Sequence, residues 1–215
     1  MDKRAVRKER RREQVREEIL EATQRVLLAR GLGGLTLAAV ARELQLTKAA
    51  LYYYFASKEA IVFELIYASL HRHATSVGDA VDETASGAAA IEALIREATA
   101  YYEAHPEELR LTYLVPQVGT AAATPFGPEM LEKIRPYNDR LYGAVANKIS
   151  ADQDAGVIAR SIDGRRLAFI AHTSVVGMLT VEGLVEVADD APLIHTHNAM
   201  VEELVMLYRA RLEVA

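Results

Sequence analysis

The chain of 215 residues has no cysteine and no tryptophan, and only six prolines and four phenylalanines. Without cysteine there is no disulfide framework, no thiol nucleophile and no thiolate-bound zinc, and the composition fits a reducing compartment. Long hydrophobic runs are also missing. The best candidate, Leu167 to Val181, is too short for a bilayer and carries His172, Thr173 and Ser174. The first residues lack the apolar core of a secretory signal. A cytoplasmic protein with no membrane partner is expected. There is no Gly-x-Ser-x-Gly, no phosphate-binding glycine loop and no paired carboxylates in a clear cleft. An enzyme is therefore disfavoured, and no cofactor is implied.

Helix formers dominate what is present. Ala, Leu, Glu and Arg fill 100 of the 215 positions. No segment alternates with period two for long enough to make a strand, so the fold is read as all-α with about nine helices. The net charge of −5 hides an asymmetry. Residues 1–60 hold 13 Lys/Arg against 8 Asp/Glu, and residues 61–215 hold 12 against 22. A basic head on an acidic body points to a polyanion that meets only the head.

The basic segment Lys3 to Arg16 leads into a pattern of Val15, Ile19, Ala22, Val26 and Leu27, which Gly31, Gly33 and Gly34 end. Thr36, Thr47 and Ser57 are N-caps for Leu37–Leu44, Lys48–Phe55 and a long helix from Lys58 to about residue 80. Further helices are expected over Ala88–Glu103, Glu107–Val115, Pro128–Ile149 with a kink at Pro136, Gly164–Val185 capped by Asp163, and Leu193–Leu212. Pro116–Gly127 and Ala188–Pro192 read as loop and turn, and Asp152, Asp154, Asp189 and Asp190 as solvated turn residues.

Residues 36–55 read as a helix-turn-helix. Ala41 and Ala50 permit a close crossing, and Val40, Leu44, Leu46, Leu51 and Phe55 can fuse both helices to the first. Lys48, Ala49, Tyr52 and Tyr53 are then left to face a DNA major groove, with Thr47 at the helix start. At these residues the chain resembles the tetracycline-repressor (TetR) family over positions 15–65. Thr36, Ala41, Leu44, Leu51, Tyr52, Tyr54, Phe55, Lys58 and Leu65 match the family pattern. Gln45 stands where glycine is usual, Thr47 where serine is usual, and Tyr54 where histidine is common. Gln45 incurs a cost if the turn needs positive φ. The resemblance implies that Thr36, Thr47, Tyr52, Tyr53 and Lys58 touch the DNA backbone, with Lys48 and Ala49 nearest the bases.

The resemblance also implies a DNA-binding domain over residues 1–57 and a helical effector-binding and dimerisation domain over 58–215. The candidate effector lining is Tyr101, Tyr102, Tyr113, Phe126, Met130, Tyr137, Leu141, Phe169, His172 and Met178, with Arg110 and Lys133 as partners for one carboxylate. That mixture suits a small lipophilic or aromatic ligand. The candidate homodimer face is Ala168, Ala171, Val175 and Leu179 with Met200, Leu204, Leu207 and Tyr208. Histidine gives no metal pattern, since His71 and His73, like His195 and His197, stand two apart rather than four. The reading is a ligand-responsive regulator, by the family default a repressor, on a palindromic double-stranded DNA operator. A sequence-nonspecific architectural DNA-binding protein and a helical ligand-binding protein without a DNA role are the alternatives.

Overall fold

A computed structural model describes residues 3–114, 128–183 and 196–213. Every element among the described residues is helical: α1 Lys3–Gly34, α2 Leu37–Glu43, α3 Lys48–Tyr54, α4 Lys58–Asp82, α5 Gly87–Ala104, α6 Pro106–Leu109, α7 Pro128–Asn138, α8 Ala144–Asp154, α9 Gly164–Glu182 and α10 His197–Glu213. Two π-helical turns, Arg110–Leu114 and Asp139–Gly143, follow α6 and α7. The second comes three residues after Pro136, whose ring removes an amide donor and crowds the preceding turn. The expected kink is thus a widened turn, and the helix resumes as α8.

The chain divides into two compact units, residues 1–69 with 110–132, and residues 70–109 with 133–215. The division falls inside α4, whose first turns bury Ile61, Val62, Phe63, Leu65 and Ile66.

In the first unit, α1 is one continuous helix from Lys3 until Gly31, where φ of 66° breaks it. Its inner face buries Ile19, Ala22, Val26 and Leu27. The caps form as expected: Thr36 and Thr47 hydroxyls accept from the Ala39 and Ala50 amides at 3.1 Å, and Ser57 from Ala60 at 3.2 Å. Between α2 and α3, Gln45 takes φ 54°. The Leu46 amide donates to the Ala41 carbonyl (2.8 Å) and the Gln45 amide to Arg42 (3.2 Å), a Schellman turn. Val40, Leu51 and Phe55 are buried as expected, whereas Leu44 is half-buried and Leu46, held in the turn, is exposed.

In the second unit, α5 is central and packs against α8, α9 and α10. Its buried face is Ile91, Leu94, Ile95, Ala98 and Tyr102. At its start Gly87 lies so close to α8 that a Cβ there would stand 2.9 Å from the Ile149 Cα. Asp152, expected to be solvated, instead accepts the Gly87 amide at 2.7 Å. The α10 start is pinned by His197, whose ring nitrogens lie 2.8 Å from Glu182 and 3.0 Å from Glu103. The expected turn at 188–192 lies outside the described residues.

Candidate nucleic-acid interface and effector residues

The α3 helix has two unlike faces. Leu51 and Phe55 anchor it in the core of the first unit, at 0% and 3% exposure. On the other side Lys48, Ala49, Tyr52 and Tyr53 are exposed, the two tyrosines at 49% and 66%. Tyrosines this open add little to the core. The Lys48 ammonium lies 5.8 Å from the Tyr52 ring centre, and the Arg12 guanidinium 5.9 Å from that of Tyr53. Thr36, Lys48, Tyr52 and Lys58 line one groove of about 360 Å³, together with Ser57 and Glu59. Four of the seven predicted DNA-contacting residues therefore share one surface, and Thr47, Ala49 and Tyr53 follow along the exposed side of α3. The groove can take phosphate oxygens against two ammonium groups and two hydroxyls. Glu59 is the one acid there. Hydrogen bonds from its own amide and from Ser57 hold its carboxyl below the usual range.

One residue that the sequence motifs do not single out fixes this helix. Arg16 of α1 donates to the Tyr54 carbonyl (3.1 Å), pairs with Glu64 and lies 4.4 Å over the Phe55 ring. It ties the carboxyl end of α3 to α1 and α4. The signal was Arg16 standing next to Val15 and three before Ile19, on the rim of the apolar stripe.

The predicted effector residues do not all come together. In the second unit Tyr102 and His172 meet around His73, a residue outside the predicted effector set. His73 is 1% exposed and stacks on Tyr102 (4.4 Å, 15°), and its ring centre lies 5.1 Å from that of His172. Tyr101 meets His73 edge-on at 5.2 Å, and the Tyr142 hydroxyl is 3.1 Å from His172 Nδ1. Neither ring nitrogen of His73 has a hydrogen-bond partner among the described residues. Burial, reinforced by the neighbouring His172, holds His73 well below its ordinary pKa, and burial pushes His172 down to about 4. Both imidazoles are neutral at pH 7. The signal for His73 was its place at i+7 from Ile66 and i−4 from Val77, on the apolar face of α4.

Other members of that set fall elsewhere. Tyr101 is half-buried and donates to Glu108 (2.7 Å), which also accepts from Arg72. Burial and that hydrogen bond push the Tyr101 phenol upward. Tyr137 is half-buried beside His71. Leu141 and Met178 are ordinary core. Phe169, expected in a pocket, is 53% exposed. Tyr113 belongs to the first unit, while Phe126 and the Met130 side chain lie outside the described residues.

The candidate dimer face also shifts. Ala168, Ala171 and Val175 are at 0% exposure inside the unit's own core and have no surface for a partner. Leu179, Met200, Leu204 and Tyr208 are half-buried against it. The exposed stripe of α9 is one residue out of phase: Phe169, Ile170, Thr173, Gly177 and Val181. On α10 it continues with Met206 and Leu207, at 57% and 58%. A one-residue offset turns a helix by about 100°, which exchanges its core and outer faces. A pocket of about 430 Å³ between α9 and α10 is lined by Ser174, Met178, Ala199, Met200, Glu203 and Leu204.

Residues 19–65 match the family described as bacterial regulatory proteins, tetR family. Residues 19–65 are a TetR-family segment. The match spans the helix-turn-helix and the groove residues just described. No curated protein sequence matches the chain. Among solved structures, similarity extends past the TetR segment. The transcriptional regulator FadR from Bacillus subtilis, in complex with stearoyl-CoA, aligns with a TM-score of 0.69 at 14% identity, over 91% of this chain and 98% of that one. A regulatory protein in the tetR family from Rhodococcus RHA1 aligns with a TM-score of 0.70 at 14% identity, over 93% and 97%. The ketosteroid transcriptional regulator KstR2 of Mycobacterium tuberculosis aligns with a TM-score of 0.59 at 19% identity, over 93% and 95%. At these identities the likeness is one of fold. No described helix is long and apolar enough to cross a membrane.

Proposed function

We propose that the chain is a ligand-responsive transcriptional regulator, a repressor that binds a palindromic DNA operator as a homodimer and is released by a small lipophilic or aromatic effector. One observation carries the reading: α3 is anchored by Leu51 and Phe55 while Lys48, Ala49, Tyr52 and Tyr53 stand open. In this reading Lys48 and Ala49 lie nearest base edges, and Thr36, Thr47, Tyr52, Tyr53 and Lys58 hold phosphates. Residues 1–57 bind DNA together with Lys58, at the start of the region 58–215 that binds effector and partner. The exposed stripe Phe169, Ile170, Val181, Met206 and Leu207 supports pairing of two copies, which sets the spacing of the half-sites.

The effector residues centre on Tyr101, Tyr102 and His172 around His73. Neutral imidazoles among aromatic rings favour an uncharged or singly polar ligand. One structural neighbour is solved with stearoyl-CoA and another is named a ketosteroid regulator; both names point to lipophilic molecules, which supports the same class here. The switch works through α4, which carries both Lys58 and His73. An effector shifts DNA binding only by its preference for one state, about 1–3 kcal/mol for a typical switch.

Selection from random-sequence DNA at near-physiological salt tests the reading. An enriched palindrome with half-sites about one helical turn apart is expected. Binding without enrichment would make the chain an architectural protein, and no binding would remove the DNA role.

A further inference from the structure

Upstream of the TetR match, α1 carries a feature that a helix-turn-helix does not require. Residues 3–18 are fully helical and hold Arg4, Arg7, Lys8, Arg10, Arg11, Arg12 and Arg16. At 100° per residue, Arg7, Lys8, Arg11 and Arg12 share one face, and Glu9 and Glu13 fall on the opposite one. The inner end of the basic face is tied down next to α3, by Arg16 at Tyr54 and Phe55 and by Arg12 over Tyr53. One turn further out, Arg7, Lys8 and Arg11 are exposed and make no ion pair among the described residues. Arg25, Arg96 and Arg209, by contrast, each hold a carboxylate within 3.2 Å.

This arrangement is costly when left alone. The pairs Arg7–Arg11 and Lys8–Arg12 are like charges at i,i+4, which destabilise a helix. The first turn of α1 has no acidic residue, so cations crowd the positive end of the helix dipole. A polyanion along this face would relieve both terms. The Arg12–Tyr53 contact joins this face to the open side of α3, so the DNA met by α3 is the polyanion within reach.

We propose that the helical arm is a second DNA-binding element, a rigid extension of α1 that lays Arg7, Lys8 and Arg11 on phosphates flanking the site read by α3, with the Arg12–Tyr53 contact setting its register. The inference rests on α3 being the recognition helix. Residues 7 to 11 span about 6 Å of helix axis. One strand offers a phosphate about every 3.4 Å of duplex axis, so each arm meets about two. Lysine and arginine alike pair with phosphate through charge, and phosphate contacts carry no sequence information. The arm therefore adds affinity without adding sequence preference.

The test compares the full-length protein with a variant carrying Arg7→Gln, Lys8→Gln and Arg11→Gln. Glutamine keeps helix propensity close to that of the residues replaced. Two probes are used: the duplex that the wild type selects, and a random-sequence duplex of about forty base pairs. On both, the plot of log affinity against log salt should become shallower by about 0.9 for each phosphate no longer neutralised, about two to four in total for two arms. The preference for the selected duplex over the random one should be unchanged. A variant with Arg7→Lys and Arg11→Lys should keep the wild-type slope. Unaltered helical circular dichroism and thermal midpoint would show that the fold is intact. An unchanged slope in the glutamine variant overturns the proposal, and so does loss of sequence preference alone. If the wild type selects no sequence, the recognition reading fails, while the slope on the random duplex still decides the arm.

Discussion

The two units treat their polar and apolar groups in opposite ways. Around α3, polar and charged side chains stand in solvent while Leu51 and Phe55 are buried. In the second unit the nitrogens of His73 are buried without a partner among the described residues, while Phe169, Ile170, Val181, Met206 and Leu207 are open. Each inversion carries a cost that core packing alone does not repay. The two units therefore suit partners of opposite chemistry. The head has an open surface of lysines and tyrosines, and the body has an apolar stripe and a buried polar cluster.

The largest effect should come from removing the anchor of the exposed helix. Leu51→Ala deletes a side chain at 0% exposure and should cost about 2–5 kcal/mol, read by denaturant unfolding. A much smaller loss would mean that α3 is not held by the core of the first unit.

Acid should act on the body. His172 has a folded pKa of about 4 against an ordinary 6.5, so the unfolded chain binds more protons between those values. Stability from this group is complete above pH 6.5 and is lost as pH falls toward 4, about 3 kcal/mol in total. The titratable groups against it are His73 and Tyr142, with Tyr101 and Tyr102 on His73 in turn. His172→Phe should flatten the stability profile in that window, and an equal slope in both proteins would show that His172 is not buried neutral.

The outer stripe should respond next. Ile170→Asp should weaken self-association in sedimentation, with little change in monomer unfolding, because Ile170 is 47% exposed in the single chain. A dimer as tight as the wild type would remove that stripe from the interface. The smallest effect is at the turn. Gln45→Gly relieves a side chain at φ 54° and should stabilise the first unit by about 0.5–1 kcal/mol, net of the added unfolded-state entropy. Destabilisation would mean that the Gln45 side chain does something the backbone does not reveal.

Much of the head was legible because its determinants are local. The caps at Thr36, Thr47 and Ser57 act within three residues, so sequence proximity is contact. The left-handed demand at Gln45 followed from the glycine usual in the resembled family. Leu46 was misjudged because an apolar residue in a turn is steered by the backbone and not by periodicity. The body was harder to read. The α9 helix has apolar residues on both its core side and its outer side, so Ala168, Ala171 and Val175 could not be told from Phe169 and Ile170 by pattern alone. His73 joins Tyr102 and His172 from three separate helices, and no spacing in the chain encodes that meeting.

In the function proposed above, the open face of α3 reads DNA. Binding of Tyr53→Ala to the duplex selected by the wild type tests it most directly, measured beside the thermal midpoint and the dimer equilibrium. Tyr53 is 66% exposed and its loss leaves no hole. Clearly weaker binding is expected, with an unchanged midpoint and unchanged dimerisation. Wild-type affinity in the variant would contradict it.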